Sequence, residues 1–294
     1  MTEQFKKEAI SGDSAGLRFL YQTVIGRAIL SLLSARWLSA LAGRVLDSPI
    51  SKPLTKKFIR RNSITSDEYK LDNLRCFNDC FSRELQDGAR PIDYSSEALI
   101  SPCDGRLSVY RITEGLVLPI KQSQYSIDSL LCNKELSDRY RNGICLVFRL
   151  CVENYHRYCY IDNGRKGDNF FISGRLHTVR PIALQKYPVF CENCREYTVM
   201  ETENLGFVTQ IEVGAMLVGK IKNHHASHTF SRGEEKGLFL YGGSTIVLLI
   251  EAGKAEIPNE LFEATDNGYE VLVKMGQRIG SSKKASKSYT PLMK

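Results

Sequence analysis

The sequence lacks most of the signatures that would place it quickly. No glycine-rich dinucleotide or phosphate-binding loop occurs in its 294 residues, and no repeat with a period of about 20–50 residues is present. That leaves out the nucleotide-binding folds recognisable by motif and the solenoids. No apolar run reaches the roughly 20 residues that a bilayer-spanning helix requires; the densest, Ala28 to Gly43, contains Arg36. No secretory leader is evident, and the nine cysteines are odd in number, so free thiols in a reducing cytosol are expected rather than a disulfide framework. The net charge of +7 comes without any nucleic-acid-binding motif, so no nucleic-acid partner is expected. Metal motifs are incomplete. Cys191-Glu192-Asn193-Cys194 has no second pair at zinc-finger spacing, and the glutamate that follows the first histidine of a zinc protease is His225 in the run His224–His228. No metal is expected.

What is present is the composition of a globular protein, with 43% apolar and 25% charged residues. Residues 1–16 are polar and read as a frayed start. From Leu17 to Val45 the pattern is helical, with Leu17, Leu20, Tyr21, Val24, Ala28 and Leu32 on one face. Lys52, Lys56, Lys57, Arg60 and Arg61 follow within ten residues, after the breaks at Pro49 and Pro53. An amphipathic stretch with a basic flank suits one or two helices lying on an anionic membrane surface; a helical pair packed on the domain is the plainer alternative. Residues 66–87 read as a further helix, ended by Gly88 and Pro91, with Cys76 and Cys80 as core thiols. After Ala98 the pattern turns to short strands, clearest at 146–152, 211–221 and 271–273. The fold class is therefore α+β: a helical membrane-associating region over 1–65, a β-rich catalytic domain over 66–280, and a disordered basic tail over 281–294.

One stretch organises the rest. Residues 238–250, Leu-Phe-Leu-Tyr-Gly-Gly-Ser-Thr-Ile-Val-Leu-Leu-Ile, read as two β-prone runs joined by a glycine pair, a hairpin signal. Glycine tolerates strained backbone, and a strained Gly243–Ser244 peptide suits an N→O acyl shift in which the Ser244 hydroxyl attacks the Gly243 carbonyl. An ordinary hairpin with a serine flank is the plainer account of these residues alone. A nucleophile needs a base and a group that orients the base. The candidates are His156, after a predicted strand, and Asp104 in the turn Ser101-Pro102-Cys103-Asp104-Gly105, each of which also has a structural reading.

The ordered motifs carry more than any one of them. Phe77–Leu85 leads to Ala89–Asp93 and Ser101–Gly105, followed by Lys121–Ser126, Tyr155-His156-Arg157, Gly174–Leu176 with Thr178–Pro181, Val213–Ala215 with Val218-Gly219, Lys236-Gly237 with Phe239, and Gly242–Thr245. Together, from about residue 66 nearly to 280, the chain resembles the phosphatidylserine decarboxylase family. The resemblance implies a proenzyme that cuts itself between Gly243 and Ser244, leaving Ser244 as a covalent pyruvoyl cofactor on the second of two associated chains, residues 1–243 and 244–294. It implies Asp104 and His156 as the relay that activates Ser244, and a Schiff base between the pyruvoyl group and phosphatidylserine that loses carbon dioxide to give phosphatidylethanolamine. His156 is then the candidate general acid. The implied location is peripheral, on the cytoplasmic side of the cell membrane, with a homodimer as a further option. Where many members carry a second histidine, this chain has Cys159. That leaves His156 in both roles, Cys159 in one, or a residue of 224–228 as a substitute. Arg157 and Lys121 are candidates to hold the substrate anion. A pyruvoyl decarboxylase of a soluble amino acid and an uncleaved lipid-binding homologue are the competing readings.

Overall fold

The computed structural model of the protein describes residues 5–9, 15–34, 36–120, 123–178, 183, 189–215, 220–240 and 244–283. Its centre is the strand Ser244–Ile250, whose seven residues are all buried. A run of β-branched and leucine side chains without polar alternation suits a strand covered on both faces. It pairs antiparallel with Ile144–Leu150 on one side and Gly206–Val213 on the other. The nine-stranded sheet continues on one flank through Gly105–Arg111 and Tyr269–Val273 to Lys7–Ala9. On the other flank it runs through Arg195–Thr202 and Gly164–Ile172 to His228–Phe230.

Strand alternation splits the core in two. Ile246, Leu248 and Ile250 join Phe148 and Val208 on one face, while Val247 and Leu249 join Val147 and Ile211 on the other. The second face is covered partly by Tyr21 and Leu30, from the helices Ala15–Gln22 and Val24–Leu33. The first is covered by a small sheet of Ile221–Asn223, Glu235–Phe239 and Arg157–Cys159, whose Tyr158 and Phe239 belong to the same core. Lys236 bridges these layers. Its fully buried ammonium donates to Glu212 Oε1 and Asn223 Oδ1, each at 2.8 Å, so the ion pair is hydrogen-bonded in place of water.

A helical N-terminal region followed by a β-rich domain matches the expected fold class, with several local corrections. The runs flanking Gly242-Gly243 form no hairpin. Glu235–Phe239 lies in the small sheet and Ser244–Ile250 in the large one, so the chain crosses between layers there. Apolar content predicted the strands but not their partners. The helix expected over 66–87 is confined to Phe77–Phe81. Asn73 takes a left-handed conformation (φ 61°) that breaks a helix, and Tyr69–Lys70 pairs instead with Glu84–Leu85. The expected frayed start contains Lys7–Ala9, paired at the sheet edge. The break expected at Pro53 is absent: Pro53 sits in the first turn of the helix Lys52–Arg61, which carries the basic cluster. The single strand expected over 211–221 is two described strands, 206–213 and 221–223. Ser281 and Ser282 belong to the strand Arg278–Ser282; the rest of the expected tail, from 284, lies outside the described residues. No described helix is long and apolar enough to cross a membrane.

Candidate active site

Strand register places the site. Ser244 opens the central strand opposite Leu150, the last residue of Ile144–Leu150. It has the same parity as Ile246 and so faces the small sheet. Beyond Leu150 the chain turns back at once. The Cys151 amide donates to Asn154 Oδ1 at 2.7 Å, and the Asn154 amide donates to the Cys151 carbonyl at 2.9 Å. This closed turn returns His156 to the position from which the chain left, next to Ser244.

The Ser244 hydroxyl lies 3.3 Å from His156 Nδ1, and both residues are fully buried. The other ring nitrogen, Nε2, lies 3.0 Å from the Cys151 carbonyl oxygen. A carbonyl can only accept, so Nε2 carries the proton and Nδ1 presents its lone pair to the hydroxyl. Phe81 stacks on the imidazole at 4.0 Å between ring centroids. Burial, reinforced by the charge of Arg83, depresses the His156 pKa to about 3, so the ring is a neutral base at physiological pH. Arg83 is itself buried; it donates to the carbonyls of Glu153 (2.9 Å) and Asn154 (3.2 Å) and lies 4.1 Å over the Tyr69 ring. Its Nε is buried with no hydrogen-bond partner. The segment that leads into Ser244 is tied to the same histidine, because the Phe239 amide donates to the His156 carbonyl at 2.9 Å.

Asp104 stands elsewhere in the hydrogen-bond network. Its carboxylate accepts from Arg90 Nε at 2.9 Å, from Arg90 Nη2 at 2.7 Å and from the Met275 amide at 2.9 Å. The Cys151 carbonyl therefore stands at the imidazole where the resemblance puts a carboxylate. The Asp104 turn still bears on the site's frame, since the Pro102 carbonyl accepts the Cys159 amide at 2.9 Å. Cys159 is part of the core, and burial pushes its thiol up to about 12, which keeps it protonated. His224 and His228 pair with Glu235 and Glu234, each at 2.6 Å. Gly243 and Lys121 lie outside the described residues.

Arg157 donates to Glu235 and to the Ser82 carbonyl. With Lys70, Arg75, Ser82 and Arg83 it lines a polar cavity of about 290 Å³. Three participants went unassigned in the sequence reading. Phe81, Arg83 and Arg90 fall inside the motifs that carry the resemblance, which was the available signal. The Cys151 carbonyl is backbone and leaves no mark in a sequence.

The residues present fit a pyruvoyl precursor: a serine at a strand start, in a dry site, with its hydroxyl on a neutral imidazole. Comparison with known proteins agrees. The family model described as phosphatidylserine decarboxylase matches residues 77–281. Phosphatidylserine decarboxylase proenzyme 2 of Clostridium acetobutylicum is 43% identical over 267 residues, 90% of this chain and 91% of that one. The proenzyme of Clostridium kluyveri is 39% identical over 95% of this chain and 96% of its own length. That of Fusobacterium nucleatum is 35% identical over 96% of both. Matched nearly end to end by these relatives, the chain belongs to the phosphatidylserine decarboxylase family.

Proposed function

We propose that this protein is a self-cleaving phosphatidylserine decarboxylase in which Ser244 is the nucleophile of maturation and His156 its base. The observation that carries the reading is the buried 3.3 Å approach of the Ser244 hydroxyl to the unprotonated Nδ1 of His156. In maturation the hydroxyl proton passes to Nδ1, Oγ bonds to the Gly243 carbonyl carbon, and the Gly243–Ser244 C–N bond breaks as the departing nitrogen takes that proton from Nδ1. Elimination then removes the Ser244 Cα proton to the freed Nδ1 and releases the Gly243 carboxylate, leaving dehydroalanine, which water converts to the pyruvoyl terminus and ammonia. Such a group supplies a carbonyl for the substrate amine and an electron sink for the departing carboxylate. The protein's own part is to bind, to exclude water and to move protons. His156 serves both steps: Nδ1, which carries no proton in the resting ring, takes one up and returns it to the substrate carbon, while the Cys159 thiol, held protonated, cannot act as the base. Arg83, with a buried Nε free of partners, and Arg157 hold the substrate's anionic groups in the adjoining cavity. Asp104, locked to Arg90, is a positioning residue for the turn that supports the His156 segment.

A base with a pKa near 3 makes maturation insensitive to mild acid. Only the neutral ring accepts a proton, and that form persists from pH 8 to pH 5. The rate at which two chains appear is expected to stay level over that range. A histidine of ordinary pKa, about 6.5, would lose roughly thirty-fold by pH 5. A fall with its midpoint near pH 6.5 would contradict the assignment.

The docking of the N-terminal region to a membrane belongs to the same proposal. Val24, Ile25, Ile50 and Leu54 point apolar surface at solvent, with Ile50 83% exposed. Lys52, Lys56, Lys57, Arg60 and Arg61 share a helix with Leu54. That combination suits an anionic lipid surface, here on the cytoplasmic side, at about 1 kcal/mol per basic residue. Lys56→Gln with Lys57→Gln is expected to lower partitioning onto phosphatidylserine-containing vesicles about thirty-fold by sedimentation. Unchanged sedimentation would remove the helix from the membrane contact.

A further inference from the structure

Away from the site, the hairpin that leads into Glu235–Phe239 gathers three metal-ligating side chains. His225, His228 and Glu234 each bring one donor atom into a group no more than 4.8 Å across. The imidazoles of His225 and His228 stack at 3.8 Å between centroids, and His228 Nε2 lies 2.6 Å from Glu234 Oε1. His225 Nδ1 is buried and has no hydrogen-bond partner. An unpartnered imidazole nitrogen beside a second imidazole and a carboxylate is a donor set without an acceptor for its lone pairs.

The backbone that carries these groups is already fixed. Lys166 Nζ donates to the His225 carbonyl at 2.8 Å and also to that of Ala226. Asn169 Nδ2 donates to the same His225 carbonyl at 3.0 Å. His228 is held opposite Lys166 in the large sheet. The Ser231 amide donates to Glu234 Oε2 at 3.0 Å, leaving Oε1 turned to His228. The main chain under the three donors is therefore held in place, and only side-chain torsions change when an ion binds.

We propose that His225, His228 and Glu234 form a binding site for one divalent transition-metal ion, with zinc the best match. Two imidazoles and one carboxylate are borderline-to-hard donors that suit Zn²⁺, with a water completing the tetrahedron. Bonds of about 2.0–2.2 Å put tetrahedral donors roughly 3.3 Å apart. The 2.6 Å His228–Glu234 contact opens to that spacing, and the two stacked rings fan apart to bring both lone pairs onto one point. His224, four residues before His228, is not a ligand, because it points to Glu235. The ion is a clasp on residues 225–234. It braces the strand whose Phe239 amide is tied to His156 and takes no part in the chemistry.

The test is zinc binding by the purified full-length protein, read by calorimetry and by metal content after dialysis. One equivalent is expected, and His225→Ala, His228→Ala and Glu234→Gln each weaken it at least tenfold. His224→Ala, outside the donor set, leaves it unchanged. Cobalt substituted for zinc reports the ligands directly and is expected to show no thiolate charge-transfer band, which separates this site from the exposed thiol of Cys132. Zinc is also expected to raise the unfolding midpoint of the wild type but not of the three variants. No stoichiometric binding, retention in all three variants, or a thiolate band would each overturn the site. None of these readouts passes through decarboxylation, so their failure leaves the proposed function untouched.

Discussion

His156→Ala is expected to slow conversion of the single chain into two by about 10²–10⁴-fold, the range a positioned general base contributes. The size follows from the surroundings of Ser244. Its hydroxyl is buried in an apolar frame, and the one base it meets among its described contacts is His156 Nδ1 at 3.3 Å. In the intact site Phe81 covers the imidazole face and Ser244 has no solvent-exposed surface, so no bulk water stands ready as an alternative base. The Cys151 carbonyl fixes the tautomer, so the effect comes from the nitrogen itself. His156→Asn, which keeps a polar side chain of smaller volume, is expected to leave the protein folded and equally slow. The check is the fraction of two-chain protein against time by denaturing electrophoresis. Maturation of His156→Ala at the normal rate would move the base elsewhere, and Cys159→Ala is then the next variant to measure.

Asp104→Ala is expected to cost about 3–5 kcal/mol of folding stability, the usual penalty for removing one partner of a buried ion pair. Arg90 is almost fully buried, with its side chain 3% exposed. Its guanidinium clamps both oxygens of Asp104 and continues to Glu68 and the Tyr69 hydroxyl. Without the carboxylate a buried charge loses its closest counter-ion, and the Met275 amide loses its acceptor. Arg90→Ala leaves the buried carboxylate with the Met275 amide and the half-exposed Lys274, 3.6 Å away, and is expected to cost a similar or slightly smaller amount. Urea unfolding of maturation-blocked Ser244→Ala protein, with and without each change, measures both on one covalent species. A loss below about 1 kcal/mol for either would contradict the structural role. Asp104→Asn keeps part of the hydrogen bonding, and its maturation rate is expected to follow its stability; slowing far beyond the stability loss would instead tie Asp104 directly to His156.

These residues also mark what the sequence made legible. The Ser244 strand was readable because a run of apolar β-formers buried on both faces leaves an uninterrupted pattern. Its separation from Glu235–Phe239 was not, because a Gly-Gly break has the same composition in a hairpin and in a crossing between layers. Ser244 and His156 were nameable as types and as motif positions. Their juxtaposition depends on the pairing of Leu150 with Ser244 and on the Asn154 turn, both products of long-range register. The helix expected over 66–87 failed because apolar residues at helical spacing also serve a segment that packs through Tyr69, Phe77 and Phe81 in separate short pieces. The orienting group at His156 is a main-chain carbonyl, for which no residue type stands in the sequence. The proposed metal site shows the same limit, since the run His224–His228 gave no complete metal motif in sequence, whereas side-chain direction brings His225, His228 and Glu234 together.

The most direct measurement is an intact-mass spectrum of the purified protein. The expected result is two chains, residues 1–243 and a second beginning at position 244 with the mass of a pyruvoyl group in place of serine. A single full-length mass, from protein kept folded at neutral pH, would contradict self-cleavage at Gly243–Ser244 and with it the proposed role of the His156–Ser244 pair.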